Sequence, residues 1–228
     1  MEHHHRGSGS RLRDIILGGQ DGLVNVLGVI LAVASATNDV KIVLIAGLAA
    51  TFAESISMAA VAYTSSKAER DYYKSELKME KYEIEKMPHV ERKEIRDIYY
   101  KKGFRGRLLL SIVKKITSSK KLWLETMMKE ELNMHEDMTT TPGKDAFIVG
   151  VSALIGSLVP LAPFLFLSVN HAIIVSLVLS TSVLFVAGAV KARVTIGSWL
   201  KSGAEMAAIG MAAAIVGYAI GAGLGVVV

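Results

Sequence analysis

Five apolar blocks, each long enough to cross a bilayer as a single helix, constrain this chain more than any other feature. A helix needs roughly 20 mostly apolar residues to span the ~30 Å hydrocarbon layer. The blocks run from about Ile15 to Ala36, Val40 to Tyr63, Ala146 to Val169, Ala172 to Val190 and Ala204 to Val228. Hydrophobic residues make up 51% of the 228, and they are gathered in these blocks rather than spread as in a soluble core. The predicted fold is all-α: a polytopic membrane protein with five transmembrane helices and a helical insert between the second and third.

The connections follow from what separates the blocks. Thr37, Asn38 and Asp39 leave room only for a tight turn, which makes helices one and two an antiparallel hairpin. Asn170 and His171 are expected to do the same between helices three and four. Lys and Arg collect on the cytoplasmic side of membrane proteins. Arg11, Arg13, the insert, and the link holding Lys191, Arg193 and Lys201 all fall on one side, against Lys41 on the other. The N-terminus is therefore expected in the cytoplasm and the C-terminus across the membrane. Residues 1–10, with their histidine run and Gly/Ser spacer, read as an expression-tag remnant. Helices one and two then occupy 11–66, the insert 67–144, and helices three to five 145–228.

Composition removes several function classes. The chain has no Cys, so it has no disulfide, thiolate metal site or cysteine nucleophile. The net charge of +5 is explained by topology and needs no nucleic-acid partner. Gly217, Gly221 and Gly225 stand at the spacing of a helix-packing face, which can serve within the chain or as a dimer seam. No Lys-Ser/Thr follows them, so they are not a phosphate loop, and ATP is not an expected energy source. Pro160 and Pro163 predict a kink in the third span.

A carboxylate at bilayer depth costs ~2.5–3.5 kcal/mol on insertion scales, so each one needs a partner or a pathway. Asp21 lies about two turns into the first span, and Asn25 follows one turn later on the same face. Glu54 and Met58 have the same spacing on the second span. Hard oxygen beside a thioether suits a borderline transition metal such as Fe²⁺ better than Mg²⁺ or Ca²⁺. Met58 alone would read as ordinary packing. Glu205 opens the fifth span, where helix capping and a place on the pathway are equally open readings.

The insert holds most of the charged residues and is expected to be a soluble helical unit. Its pieces run from the second span to about Lys86, from Val90 to Lys102, from Arg107 to Ile116 and from Lys121 to Leu132. The third of these is amphipathic and is expected to lie on the membrane surface. Glu80 and Glu83, Glu91 and Glu94, and Met128 and Glu131 each stand three residues apart on one helix face. Those faces can converge on divalent cations. Alternatively, Lys78, Lys81, Lys86, Arg92 and Lys93 can pair with the acids on a solvated surface. His89 and His135 are isolated, and outside residues 1–10 no Glu-x-x-His pair is present, so a carboxylate-bridged oxidase is not expected. The chain is not expected to be an enzyme.

Taken in order, these residues resemble the vacuolar iron transporter family. The resemblance runs from Arg13 almost to the C-terminus. It rests on Asp21-Gly22-Leu23-Val24-Asn25, on Ser57-Met58, on the insert's Glu80, Glu83, Glu91, Glu94, Met127, Met128 and Glu131, on the proline-bearing third span and on the glycine-rich fifth. It implies a homodimer of five-helix subunits that exchanges protons for cytosolic Fe²⁺, with Asp21 and Met58 at the intramembrane ion site and the seven insert residues binding metal. Mn²⁺, Co²⁺ and Zn²⁺ are further candidate ions, and no prosthetic group is expected. Where that family reads Ser-Met-small-small-Gly-Glu-Tyr, this chain has Ser57-Met58-Ala59-Ala60-Val61-Ala62-Tyr63, and Glu54 is expected to stand in for the missing acid. The function expected is export of the ion from the cytoplasm, across a vacuolar membrane in a eukaryote or the cell membrane in a prokaryote. The competing expectation is a membrane-anchored iron-binding sensor or store.

Overall fold

The computed structural model describes residues 6–134, 141–194 and 197–225, which form helices joined by turns and short links. Eight α-helices follow in order: α1 (Arg6–Thr37), α2 (Val40–Lys86), α3 (Pro88–Lys101), α4 (Gly106–Ile116), α5 (Lys120–Glu130), α6 (Pro142–Leu161), α7 (Val169–Val194) and α8 (Trp199–Gly225). A short 3₁₀ turn, Ala162–Leu165, extends α6. Among the described residues, five helices are long and apolar enough to cross a membrane: Arg11–Thr37, Val40–Lys86, Pro142–Leu165, Val169–Arg193 and Trp199–Leu224. The protein is a multi-pass, all-α membrane protein.

The chain forms two compact units. Residues 1–63 with 143–228 make the membrane-spanning unit, and residues 64–142 make the insert. Only the apolar part of α2, up to Tyr63, belongs to the first.

In the membrane unit α1 is the central element. Leu23, Val26, Leu27, Ile30 and Leu31 are each at most 1% exposed, so one face of α1 is enclosed, while Ile15, Leu17 and Val29 stay exposed on the same helix. Small residues permit that enclosure, because close backbone approach is what packs helices in lipid. A side chain at Gly156 of α6 would collide with the Gly19 carbonyl of α1, and one at Gly217 of α8 with the Gly28 carbonyl. Gly221 meets Ala32 in the same way. The Gly217/Gly221 stripe, open in the sequence to use as a dimer seam, is therefore occupied within the chain by α1.

The first hairpin turns where the sequence places it. Asn38 adopts φ 50°, and the Asp39 Oδ1 accepts a hydrogen bond from the Lys41 backbone N–H at 2.7 Å. The second hairpin turns earlier than expected. Asn170 and His171 are already helical, and the turn falls at residues 166–168. Pro163 stops α6 short, and Ser168 starts α7: its carbonyl accepts from the Ala172 N–H at 2.8 Å, and its hydroxyl contacts His171 Nδ1 at 2.9 Å. Within the α6–α7 pair, the Ser176 hydroxyl donates to the Pro160 carbonyl at 2.7 Å.

In the insert, Pro88 ends α2 and opens α3, and positive φ at Gly103 and Gly106 separates α3 from α4. Ile84, Ile95, Leu109, Val113, Ile116, Trp123 and Met127 form its apolar core. The α4 face expected on the membrane surface is thus turned inward through Leu109, Val113 and Ile116, while Leu108 and Leu110 stay exposed. The helix needs a partner for its apolar stripe, and α2, α3 and α5 supply one.

Candidate metal centres

Two groups of carboxylates stand out, one in each unit. In the membrane unit the Glu54 carboxyl of α2 is in side-chain hydrogen-bonding contact with both Asp21 and Asn25 of α1. The hairpin at 38–39 makes this possible, since it lays the two spans antiparallel with their polar stripes facing. Two bare carboxylates side by side repel, a repulsion that a cation between them would relieve. Met58, one turn beyond Glu54, is half-buried. Glu205, near the start of α8, is exposed, and its neighbour Met206 packs with Leu23 and Leu184.

One carboxylate in this unit escaped the sequence reading. Asp14 is buried, two turns before Asp21 on the same face of α1, in an ion pair with Arg13 at 3.5 Å. The seven-residue spacing from Asp14 to Asp21 was the available signal.

In the insert, carboxylate oxygens of Glu80, Glu83 and Glu91 lie within 4.8 Å of one another, as do those of Glu91, Glu94 and Glu131. Glu91 belongs to both groups, so α2, α3 and the end of α5 contribute to one connected cluster of five acids. Glu80 and Glu91 are 5% and 3% exposed, and each has a buried Oε2 with no hydrogen-bond partner. Buried polar atoms are nearly always paired, so two orphaned carboxylate oxygens facing other acids make this cluster a candidate cation site.

The electrostatics agree. Burial, and then the charges of Glu131, Glu91, Glu83 and Glu94, push the Glu80 carboxyl up to about 8. Burial, followed by Glu94, Glu83 and Glu131, raises Glu91 to about 7. Glu131 is raised by burial and by Glu94 and Glu83.

The lysine ion pairs bear on the surface-pairing alternative. Among the described residues, the lysine ion pairs of the insert are Lys102–Glu130, Lys120–Glu85 at 3.2 Å and Lys121–Glu125 at 3.7 Å. None uses a cluster acid. Met127 is fully buried in the apolar core, and Met128, 3% exposed, lines a groove between α2 and α5. His89 is exposed on α3, and His135 lies outside the described residues.

A five-span membrane unit with a facing pair of acids, joined to a helical insert that gathers five glutamates, defines a class of multi-pass membrane proteins with candidate cation sites. The family model described as the VIT family matches residues 12–222, and the chain belongs to that family. It is 32% identical over 215 residues to "Vacuolar iron transporter 1" of Eucalyptus grandis, covering 94% of this chain and 86% of that protein. It is 30% identical over 224 residues to "Vacuolar iron transporter 1" of Arabidopsis thaliana, covering 96% and 90%. It is also 30% identical over 212 residues to "Protein CCC1" of Saccharomyces cerevisiae, covering 89% of this chain and 66% of that one.

Proposed function

We propose that the protein is a divalent metal transporter that moves Fe²⁺, and secondarily Mn²⁺, out of the cytoplasm in exchange for protons. The single observation that carries the reading is the Asp21–Asn25–Glu54 contact inside the membrane unit. Ionisable groups held at bilayer depth mark ion and proton pathways, because an unused one is costly. A carboxyl pair that holds either a proton or a cation gives antiport a simple basis, since one occupant must leave before the other binds. Met58, one turn beyond Glu54, adds a soft donor that favours a borderline metal.

In this reading the insert faces the cytoplasm, and its five glutamates collect ions before translocation. Met127 and Met128 complete that set by the family resemblance, while their burial in the apolar part gives them a packing role as well. Glu205 stands at the cytoplasmic end of α8. The names of the plant relatives favour an organellar membrane of the vacuolar kind, and a homodimer would place a second α1–α2 pair beside the first.

The test is uptake into proteoliposomes. Fe²⁺ flux should appear with the purified protein, depend on an imposed pH gradient and vanish in Asp21→Ala. Binding to the insert without flux under any gradient would instead make the protein a tethered iron-binding sensor or store.

A further inference from the structure

The insert carries a second feature on the side of α5 that Met128 lines. A cavity of 360 Å³ lies between the Tyr73–Lys81 stretch of α2 and α5. Lys81 borders it from α2, and Lys121 and Lys129 border it from α5. Glu125 is the sole acid among its lining residues, and it pairs with Lys121 at 3.7 Å. Three lysines against one glutamate give the lining a formal charge of +2, a balance that favours an anion over a free metal ion.

Its floor is apolar, formed by Leu77, Leu124, Met128 and Met134. Met134 is placed there by a local device. Asn133 takes φ 53°, and the Met134 N–H then donates to the Met128 carbonyl at 2.8 Å, folding the chain back against α5.

We propose that this groove binds a small organic polycarboxylate. Three points select that class. The volume is at the lower end of small-molecule sites, roughly 300–1,000 Å³. Lys121 and Lys129 are separated by about 12 Å along α5, at 1.5 Å per residue, and Lys81 reaches in from the other helix. A single compact anion satisfies only one of them, whereas carboxylates spread on a carbon skeleton reach two or three while the skeleton rests on the apolar floor. Glu131 follows Met128 by three residues on α5, so a bound polycarboxylate carrying a metal ion would hold it near the glutamate cluster. That last consequence rests on the metal-handling reading above, but the binding itself does not.

The experiment is calorimetric titration of the metal-free, detergent-solubilised full chain with tricarballylate, a tricarboxylate that chelates metals weakly. Saturable one-site binding is expected, weakened about tenfold or more in Lys81→Glu and in Lys121→Ala, since each removes a charge-assisted hydrogen bond. Raised salt should weaken it too, and Lys114→Glu, outside the groove, should leave it unchanged. Absence of saturable binding overturns the proposal. So does binding that ignores both groove substitutions, or inorganic phosphate competing as well as the tricarboxylate. Retained tricarballylate binding in a chain whose Glu80→Gln, Glu91→Gln variant shows no change in Fe²⁺ binding supports the groove and counts against the metal cluster instead.

Discussion

The carboxyl groups of Asp21 in α1 and Glu54 in α2 meet in a hydrogen-bonding contact, with the Asn25 side chain also on Glu54. Neither acid has an ion-pair partner among the described residues. Asp21→Asn and Glu54→Gln preserve size while removing one charge each. Each is expected to lower Fe²⁺ uptake by about tenfold or more, as loss of a metal-site contact commonly does. Helicity by circular dichroism should be unchanged. Uptake at the wild-type rate in both would remove the pair from the pathway.

Metal binding by the insert should strengthen with pH. Glu80 and Glu91 are pushed up to about 8 and about 7, so near neutrality the cluster holds protons that a divalent cation must displace. Affinity is expected to climb from about pH 6 to pH 8 and then level off, with proton release on binding. Calorimetry in buffers of different ionisation enthalpy reads both quantities.

The same shifts make a stability prediction of definite sign. A carboxyl whose folded pKa lies above its unfolded value of 4.5 costs nothing at low pH, where both states are protonated. The cost appears as pH rises through 4.5 and is complete above about 8 for Glu80. The metal-free protein should therefore lose insert stability across that window, and added Mn²⁺ should restore it. Hydrogen exchange of α3 and α5 amides, followed against pH, is the measurement.

Removing one cluster charge should separate stability from function. Glu91→Gln relieves repulsion in a buried place, so the metal-free melting temperature should rise, by about 2–4 °C for each kcal/mol gained in a chain of this size. Its Fe²⁺ affinity should fall at the same time. A fall in both would make Glu91 a structural acid rather than a ligand.

The two faces of α4 should respond differently. Leu109 is 4% exposed in the insert core, and Leu109→Ala is expected to cost about 2–4 kcal/mol. Leu108 is 59% exposed, and Leu108→Ala should lie within about 0.5 kcal/mol of wild type. Chemical denaturation followed by Trp fluorescence tests both.

The spans and the breaks at Pro88 and Asn38 were readable in the chain, because block length, proline and turn residues act locally. The second hairpin was not: Asn170 and His171 look like a turn, but Pro163 and the cap at Ser168 act first. The role of Gly217 was also undecided, since a glycine stripe fits any close neighbour and only the packed unit names α1 as that neighbour.

The acids divide along the same line. Spacing placed Glu80 with Glu83 and Glu91 with Glu94 on shared helix faces, and it flagged Asp21 and Glu54 as costly in lipid, because a helix fixes which side chains share a stripe. It left open whether Glu80 and Glu91 meet lysines or each other, and whether Glu54 reaches Asp21. Those outcomes depend on the rotation of one helix about its axis relative to another, and rotation is set by the apolar contacts of the assembled core. The packing of Ile84, Ile95 and Trp123 turned the insert's acids toward one another, and the tight turn at Asn38 brought Glu54 to α1.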